Sequence, residues 1–173
     1  MDFSRSSAAI WVSTARHPAF PAGCLPGSNA RESTMTDPTI VPMIEYEQAD
    51  AAVRAVYDDI MQTRGTDWIN NFWKVLANDP KLLKRTWESL KEVMAPGALD
   101  PLVKEMIYIA VSATNNCDYC SWSHTASARA KGMTDPQLME LLAVVGMANE
   151  TNRLANGLKP PVDAAFKPKG SKA

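Results

Sequence analysis

Four residues in the segment 105–124 can do thiol chemistry together: Glu105, Cys117, Cys120 and His124. Cys120 and His124 stand four apart, so on a helix they share one face. Cys117 and Cys120 form a Cys-x-x-Cys pair where a helix is expected to begin. The free N–H groups and dipole of a helix N-terminus favour a thiolate. An imidazole beside Cys120 can take the thiol proton, and a carboxylate can orient the ring and balance its charge. A thiolate formed this way attacks an electrophile such as the O–O bond of a peroxide. The sulfenic acid left on sulfur then condenses with a neighbouring thiol, and Cys117 is close enough to be that resolving thiol.

This chemistry needs Glu105 beside His124, which a straight helix forbids. Twelve residues of helix would hold Glu105 about 18 Å from Cys117. Thr114-Asn115-Asn116 interrupts the apolar pattern, and the midpoint between positions 105 and 124 falls within it. A reversal there lays two helices antiparallel, with Glu105 opposite His124. The first helix starts at Asp100-Pro101, an N-cap followed by a proline at the first helical position. Its wide apolar face of Leu102, Val103, Met106, Ile107, Ala110 and Ala113 is the pattern of a central helix. A carboxylate among Met106, Ile107 and Ile109 must be paired or protonated, and His124 is the partner at hand. The second helix is predicted from near Cys117 to Lys131, with Gly132 as its stop.

Helical spacing recurs on both sides of this hairpin. Val53, Val56, Tyr57 and Ile60 form one stripe, with Arg54, Asp58 and Asp59 opposite and Gly65 at the end. A short aromatic segment follows, with Trp68, Phe72 and Trp73. Asp79-Pro80 opens a helix whose buried stripe is Leu83, Trp87, Leu90 and Met94, broken by Pro96-Gly97. Thr134-Asp135-Pro136-Gln137 is a capping box for a last helix with Leu138, Leu141, Leu142 and Val145 toward the core. No run of alternating β-branched residues with hairpin punctuation occurs. The expected fold is all-α, with six or so helices and the cysteine pair at a helix N-terminus.

The chain has 173 residues, 46% apolar and 21% charged, with a formal net charge of −1. It can bury a core without disulfide staples, and it lacks the basic excess of a nucleic-acid-binding domain. No apolar run approaches the length needed to cross a bilayer. Three cysteines argue against a secreted disulfide framework, so a cytoplasmic chain is expected. Residues 1–40, rich in Ser and Pro, read as a disordered or loosely attached arm that contains Cys24 and His17. Met35 resembles a start site, which would make residues 1–34 an upstream extension. Residues 41–158 carry the domain, with 11 Lys and Arg against 15 Asp and Glu. Residues 159–173 form a basic tail that Pro160, Pro161 and Pro168 keep largely non-helical.

Glu-x11-Cys-x-x-Cys-x-x-x-His, here EMIYIAVSATNNCDYCSWSH, resembles the motif of the alkylhydroperoxidase D (AhpD)-like family, within the carboxymuconolactone decarboxylase-like superfamily. The similarity extends over roughly residues 45–158, including VVGMANETNRLANG. It implies an all-helical, homo-oligomeric peroxidase that reduces hydroperoxides and is restored by a dithiol or lipoyl-bearing reductant. Cys120 resembles the peroxide-attacking cysteine, Cys117 its disulfide partner, and His124 and Glu105 the proton relay. The founding enzymes carry a second histidine immediately before the second cysteine. Tyr119 stands there in this chain and, with a reference pKa of about 10, is a poor base.

Other readings compete. Cys117, Cys120 and His124 could supply three zinc ligands, the count of an open catalytic site, but a closed site needs a fourth. Haem attachment needs a histidine where Ser121 stands, and a thioredoxin-type site needs strands. No metal or cofactor is therefore expected. A dithiol redox sensor or disulfide-exchange protein uses the same cysteines without reducing peroxide. A cofactor-free decarboxylase has no need of them. Tyr119, Trp122 and Trp87 read as packing residues, and Arg129, Lys131 and Arg153 as a solvated face.

Overall fold

The structure is a computed structural model, and it describes residues 39–168. The arm read over residues 1–40, with His17 and Cys24, lies outside the described residues up to position 38, as does the tail from 169 onward. Six α-helices follow one another: α1 (Ala51–Arg64), α2 (Asn71–Leu76), α3 (Pro80–Met94), α4 (Pro101–Thr114), α5 (Asp118–Ala130) and α6 (Asp135–Leu158). Short 3-10 turns at Tyr46–Gln48 and Ala164–Phe166 flank them, and there is no strand among the described residues.

Side chains with oxygen acceptors start most of these helices. Asp50, Asp79 and Asp100 accept backbone N–H bonds at the N-caps of α1, α3 and α4, with proline at the head of the last two. Thr134 and Gln137 close a reciprocal capping box on α6. Gly65 ends α1 in the left-handed conformation (φ 64°) that a residue without Cβ adopts freely.

Two apolar clusters form the interior. The first gathers Val53, Val56, Tyr57 and Ile60 of α1 with Trp73 of α2 and Leu83 and Trp87 of α3. Trp73 meets Trp87 edge-on at 5.4 Å between ring centres. Tyr57 is fully buried, and its hydroxyl donates to the Ile44 carbonyl at 2.8 Å. Asp59, expected on the solvated side of α1, instead accepts from the Trp87 indole at 2.6 Å and pairs with Lys91. The second cluster is smaller. Ile109 of α4, Ala128 of α5 and Met133 are buried, with Leu102, Met106, Leu138 and Leu141 packed against them.

Two expectations about the second cluster need correction. On α4 the buried residues are Glu105, Ile109 and Ser112. Leu102, Met106, Ala110 and Ala113 are half-buried, while Val103 and Ile107 are exposed. The buried face of α4 therefore lies about one helical step from the apolar face the sequence predicts, because α4 has apolar residues on more sides than α5 and α6 cover. On α6 no residue is buried, and Leu142 of its expected core stripe is exposed. Length accounts for this: α6 runs about 36 Å and α4 about 21 Å, so much of α6 has nothing to lie on. Leu90 and Met94 of α3 are likewise only half-buried.

The first cluster should hold most of the packing stability. Leu83→Ala, at a fully buried position, should cost about 2–5 kcal/mol. Loss of the α6 cap in Thr134→Ala should cost about 1 kcal/mol. Urea unfolding midpoints would measure both, and equal effects would mean that α6 is as tightly coupled as the core.

Candidate functional site

The turn between α4 and α5 is built by three residues in a row. Asn115 caps α4 and Asn116 takes the left-handed conformation (φ 55°), which asparagine tolerates better than most residues. The Cys117 N–H then bonds back to the Ser112 carbonyl at 3.0 Å, the six-to-one closure of a Schellman motif. Cys117 is also the N-cap of α5, and its sulfur accepts from the Cys120 N–H at 3.4 Å. One residue thus closes α4 with its backbone and opens α5 with its side chain.

With the chain reversed there, Glu105 of α4 meets His124 of α5. His124 Nδ1 and Glu105 Oε2 are 2.7 Å apart. The carboxylate is 5% exposed. Its other oxygen, Oε1, accepts from Lys131 Nζ at 2.8 Å. The sequence places Lys131 on a solvated face. It sits at the C-cap of α5, and its long side chain reaches back to the buried acid. Burial pushes the Glu105 carboxyl up, but the hydrogen bonds and charges of His124 and Lys131 outweigh it and hold the group below the ordinary carboxylate range. Tyr108, one turn after Glu105, stacks its ring on the His124 imidazole at 3.9 Å and 14°. An ionised Glu105 accepts a hydrogen bond from Nδ1–H, and in that tautomer Nε2 is the ring's acceptor nitrogen.

Both cysteines carry free thiols and are half-buried. Burial pushes the Cys120 thiol up to about 11, and the hydrogen bond and charge of the Cys117 sulfur push in the same direction. Among the described residues no hydrogen bond joins His124 to either thiol. Cys120 and His124 are instead neighbours on one wall of a cavity of about 440 Å³. That cavity lies between the two halves of the bundle. Its other walls come from Arg64, from Phe72 and Trp73 of α2, and from Leu90 and Val93 of α3. Tyr119 is part of the seam: its hydroxyl accepts from the Phe72 N–H at 3.1 Å, tying α5 to the start of α2. Lys104 ties the halves a second time, donating to the Val93 carbonyl at 2.7 Å. Among the described residues, no group of three or more His, Cys, Asp or Glu side chains is arranged to hold a metal ion.

Tyr108 is a site residue the sequence does not single out, while Tyr119 and Lys131, expected as a packing residue and part of a solvated face, both belong to the site. Tyr108 is three residues from Glu105 on the same helix, a spacing that could have flagged it. Lys131 sits past the end of α5 and carries no spacing signal.

The fold and this hairpin define an all-helical protein with a dithiol at a helix start and a buried acid paired with a half-buried imidazole beside it. Residues 80–162 match the carboxymuconolactone decarboxylase family. The crystal structure of the alkylhydroperoxidase AhpD core from Rhodospirillum rubrum superposes with a TM-score of 0.68 at 54% identity, covering 74% of this chain and 96% of that one. Uncharacterized protein 4 of the cox locus of Paracoccus denitrificans is 41% identical over 54 residues, 31% of this chain and 49% of that protein. An alkyl hydroperoxide reductase of Mycobacterium tuberculosis is 29% identical over 105 residues, 61% of this chain and 30% of that protein. The chain therefore spans half or less of the length of these two curated relatives. It belongs to the AhpD-like family of the carboxymuconolactone decarboxylase-like superfamily.

The lowered Glu105 carboxyl sets a pH signature. Its stabilising contribution is complete above the ordinary value of 4.5 and is lost as pH falls through the lowered value. In Lys131→Met the carboxyl rises, so the acid-linked loss should be smaller and should finish at higher pH. Urea midpoints between pH 3 and 7 would measure this; superimposable acid limbs would separate Lys131 from Glu105.

Proposed function

We propose that this chain is a thiol-dependent peroxidase that reduces organic hydroperoxides through a Cys117–Cys120 dithiol–disulfide cycle. The observation that carries this reading is the placement of Cys120 and His124 on one cavity wall, with the far side of the imidazole held by a buried carboxylate. Family membership and the names of the Rhodospirillum and Mycobacterium proteins support it. A decarboxylase would leave the dithiol without a role.

In this reading Cys120 rests as a thiol, because its environment holds the proton. His124 Nε2 removes that proton, directly or through one water, and Glu105 balances the imidazolium that forms. The Cys120 thiolate attacks the terminal oxygen of R–O–OH. The S–O bond forms, the O–O bond breaks, and the alkoxide takes a proton to leave as R–OH. Cys117 then attacks the sulfenic sulfur, and the S–S bond forms as water leaves. The sum is one hydroperoxide and two thiols converted to one alcohol, one water and one disulfide. An external dithiol, such as a lipoyl group, returns the two electrons.

A second reading has its own observation. The Cys117 sulfur takes the capping position on α5 and accepts a backbone N–H from Cys120, so Cys117 rather than Cys120 is the sulfur at the helix start. With Cys117 as the first thiolate, the same pair would exchange disulfides or sense redox state without peroxide.

We also infer that a second copy of this chain covers the exposed strip of α4 and α6. Val103, Ile107 and Val111 recur every four residues on α4, and Val144, Met147, Leu154 and Leu158 follow helical spacing on α6; all seven are exposed. Contiguous apolar surface of this kind marks an association site. Ile107→Glu should shift the sedimenting species to a smaller mass; an unchanged mass would leave the strip unoccupied by a second copy.

Peptide mapping after a stoichiometric pulse of organic hydroperoxide tests the peroxidase cycle. The expected result is a rapid Cys117–Cys120 disulfide that dihydrolipoamide reverses. Cys120→Ser should abolish it, and His124→Ala should slow it by about 10²–10⁴-fold. Oxidation by disulfides alone, with peroxide inert, would leave the exchange reading.

A further inference from the structure

The cavity beside Cys120 and His124 has an uneven electrical character that the proton relay does not use. Its lining includes two arginines, Arg64 and Arg85, and no Asp or Glu. The remaining surface is mainly apolar, from Phe72, Trp73, Leu90 and Val93, with Asn70, Thr86, Ser89 and Ser123 among its polar residues. Neither arginine forms an ion pair among the described residues. Arg64 is the better placed of the two. Its guanidinium lies over the rings of Trp73 and Trp87 at 5.9 and 5.8 Å, and Nη1 donates to Asn70 Oδ1 at 2.9 Å. These contacts hold the planar group without supplying a counter-charge, and they use one of its five N–H donors. The carboxylate that acts on it at longer range is Glu105, whose two oxygens are already taken by His124 and Lys131. Trp73 also lines the cavity, and its buried indole N–H has no acceptor among the described residues.

An oriented guanidinium with free donors at an apolar cavity is the chemistry that binds a carboxylate on a hydrocarbon chain. The volume of about 440 Å³ lies in the ordinary range for a single small ligand, ~300–1,000 Å³. We propose that the cavity selects hydroperoxides that carry a free carboxylate on an apolar chain, of the fatty-acid hydroperoxide class, with Arg64 binding the carboxylate while the O–OH group faces Cys120. The apolar walls take the chain, and Arg85 adds a second positive charge. This inference rests on the peroxidase reading for the reaction it serves, but the anion site itself does not depend on turnover.

Two measurements keep these claims separate. The first compares a fatty-acid hydroperoxide with its methyl ester, which has the same chain and O–O bond but no charge. Wild-type protein should show a kcat/KM ratio of acid to ester of about tenfold or more. Arg64→Met should bring that ratio close to one, and Arg64→Lys, which keeps the charge but loses the fork, should fall between. A ratio near one in the wild type, or one that Arg64→Met leaves unmoved, overturns the proposal. The second measures binding of decanoate and decanol, which cannot react, by quenching of tryptophan fluorescence. Decanoate should bind about tenfold more weakly to Arg64→Met than to wild type, with a smaller change for decanol. Equal losses for both ligands would make Arg64 a packing residue and overturn the proposal. Decanoate selectivity without turnover of either hydroperoxide would uphold the anion site and remove the peroxidase reading.

Discussion

A carboxylate buried in an apolar helix cannot stay charged alone, and the arrangement of the second half of this protein answers that constraint. Glu105 lies among Met106, Ile109 and the residues of α5. Leaving it unpaired would cost several kcal/mol or force it to take up a proton. Two donors arrive from α5 and its C-cap, one for each oxygen. They can arrive only because the chain reverses at Asn115-Asn116, so the turn, the antiparallel packing and the acid's partners depend on one another. The same reversal puts Cys117 at the start of α5 and fixes where Cys120 faces. A fault in the turn would expose the carboxylate, unseat the imidazole and move the dithiol together.

The seam between the halves explains why Cys120 lines a cavity rather than facing bulk solvent. The aromatic cluster of α1–α3 supplies one side, and the α4–α5 hairpin supplies the other. Tyr119 bridges the seam with a single hydrogen bond from the backbone of α2. This is the position where the founding enzymes of the family carry a histidine. A tyrosine there serves as an acceptor and a spacer; in the proposed cycle, proton transfer falls to His124.

Much of this was legible in the sequence, for local reasons. Caps at Asp79, Asp100 and Thr134, stops at Gly65 and Gly132, and the Asn-Asn turn are short-range signals that tertiary contacts did not override. The meeting of Glu105 and His124 followed from counting positions about a turn, because antiparallel helices pair residues at equal distances from their reversal. What the sequence did not reveal depends on long side chains or on partners outside the helix pair. Lys131 and Arg64 each reach several ångströms from their backbone to groups that no spacing rule links to them. Val103 and Ile107 read as core in the periodicity argument yet are exposed, since an exposed apolar strip and a buried face have the same composition.

The central claim is that Glu105 and His124 act on Cys120 as one unit. The most direct test is a double-mutant cycle on the rate of Cys120 oxidation by hydroperoxide, using Glu105→Gln, His124→Gln and the double variant. The account predicts that each single variant slows oxidation strongly and that the double variant is no slower than the worse single one. Losses that simply multiply would show that the two residues act independently, and that the buried pair holds the fold rather than the reaction.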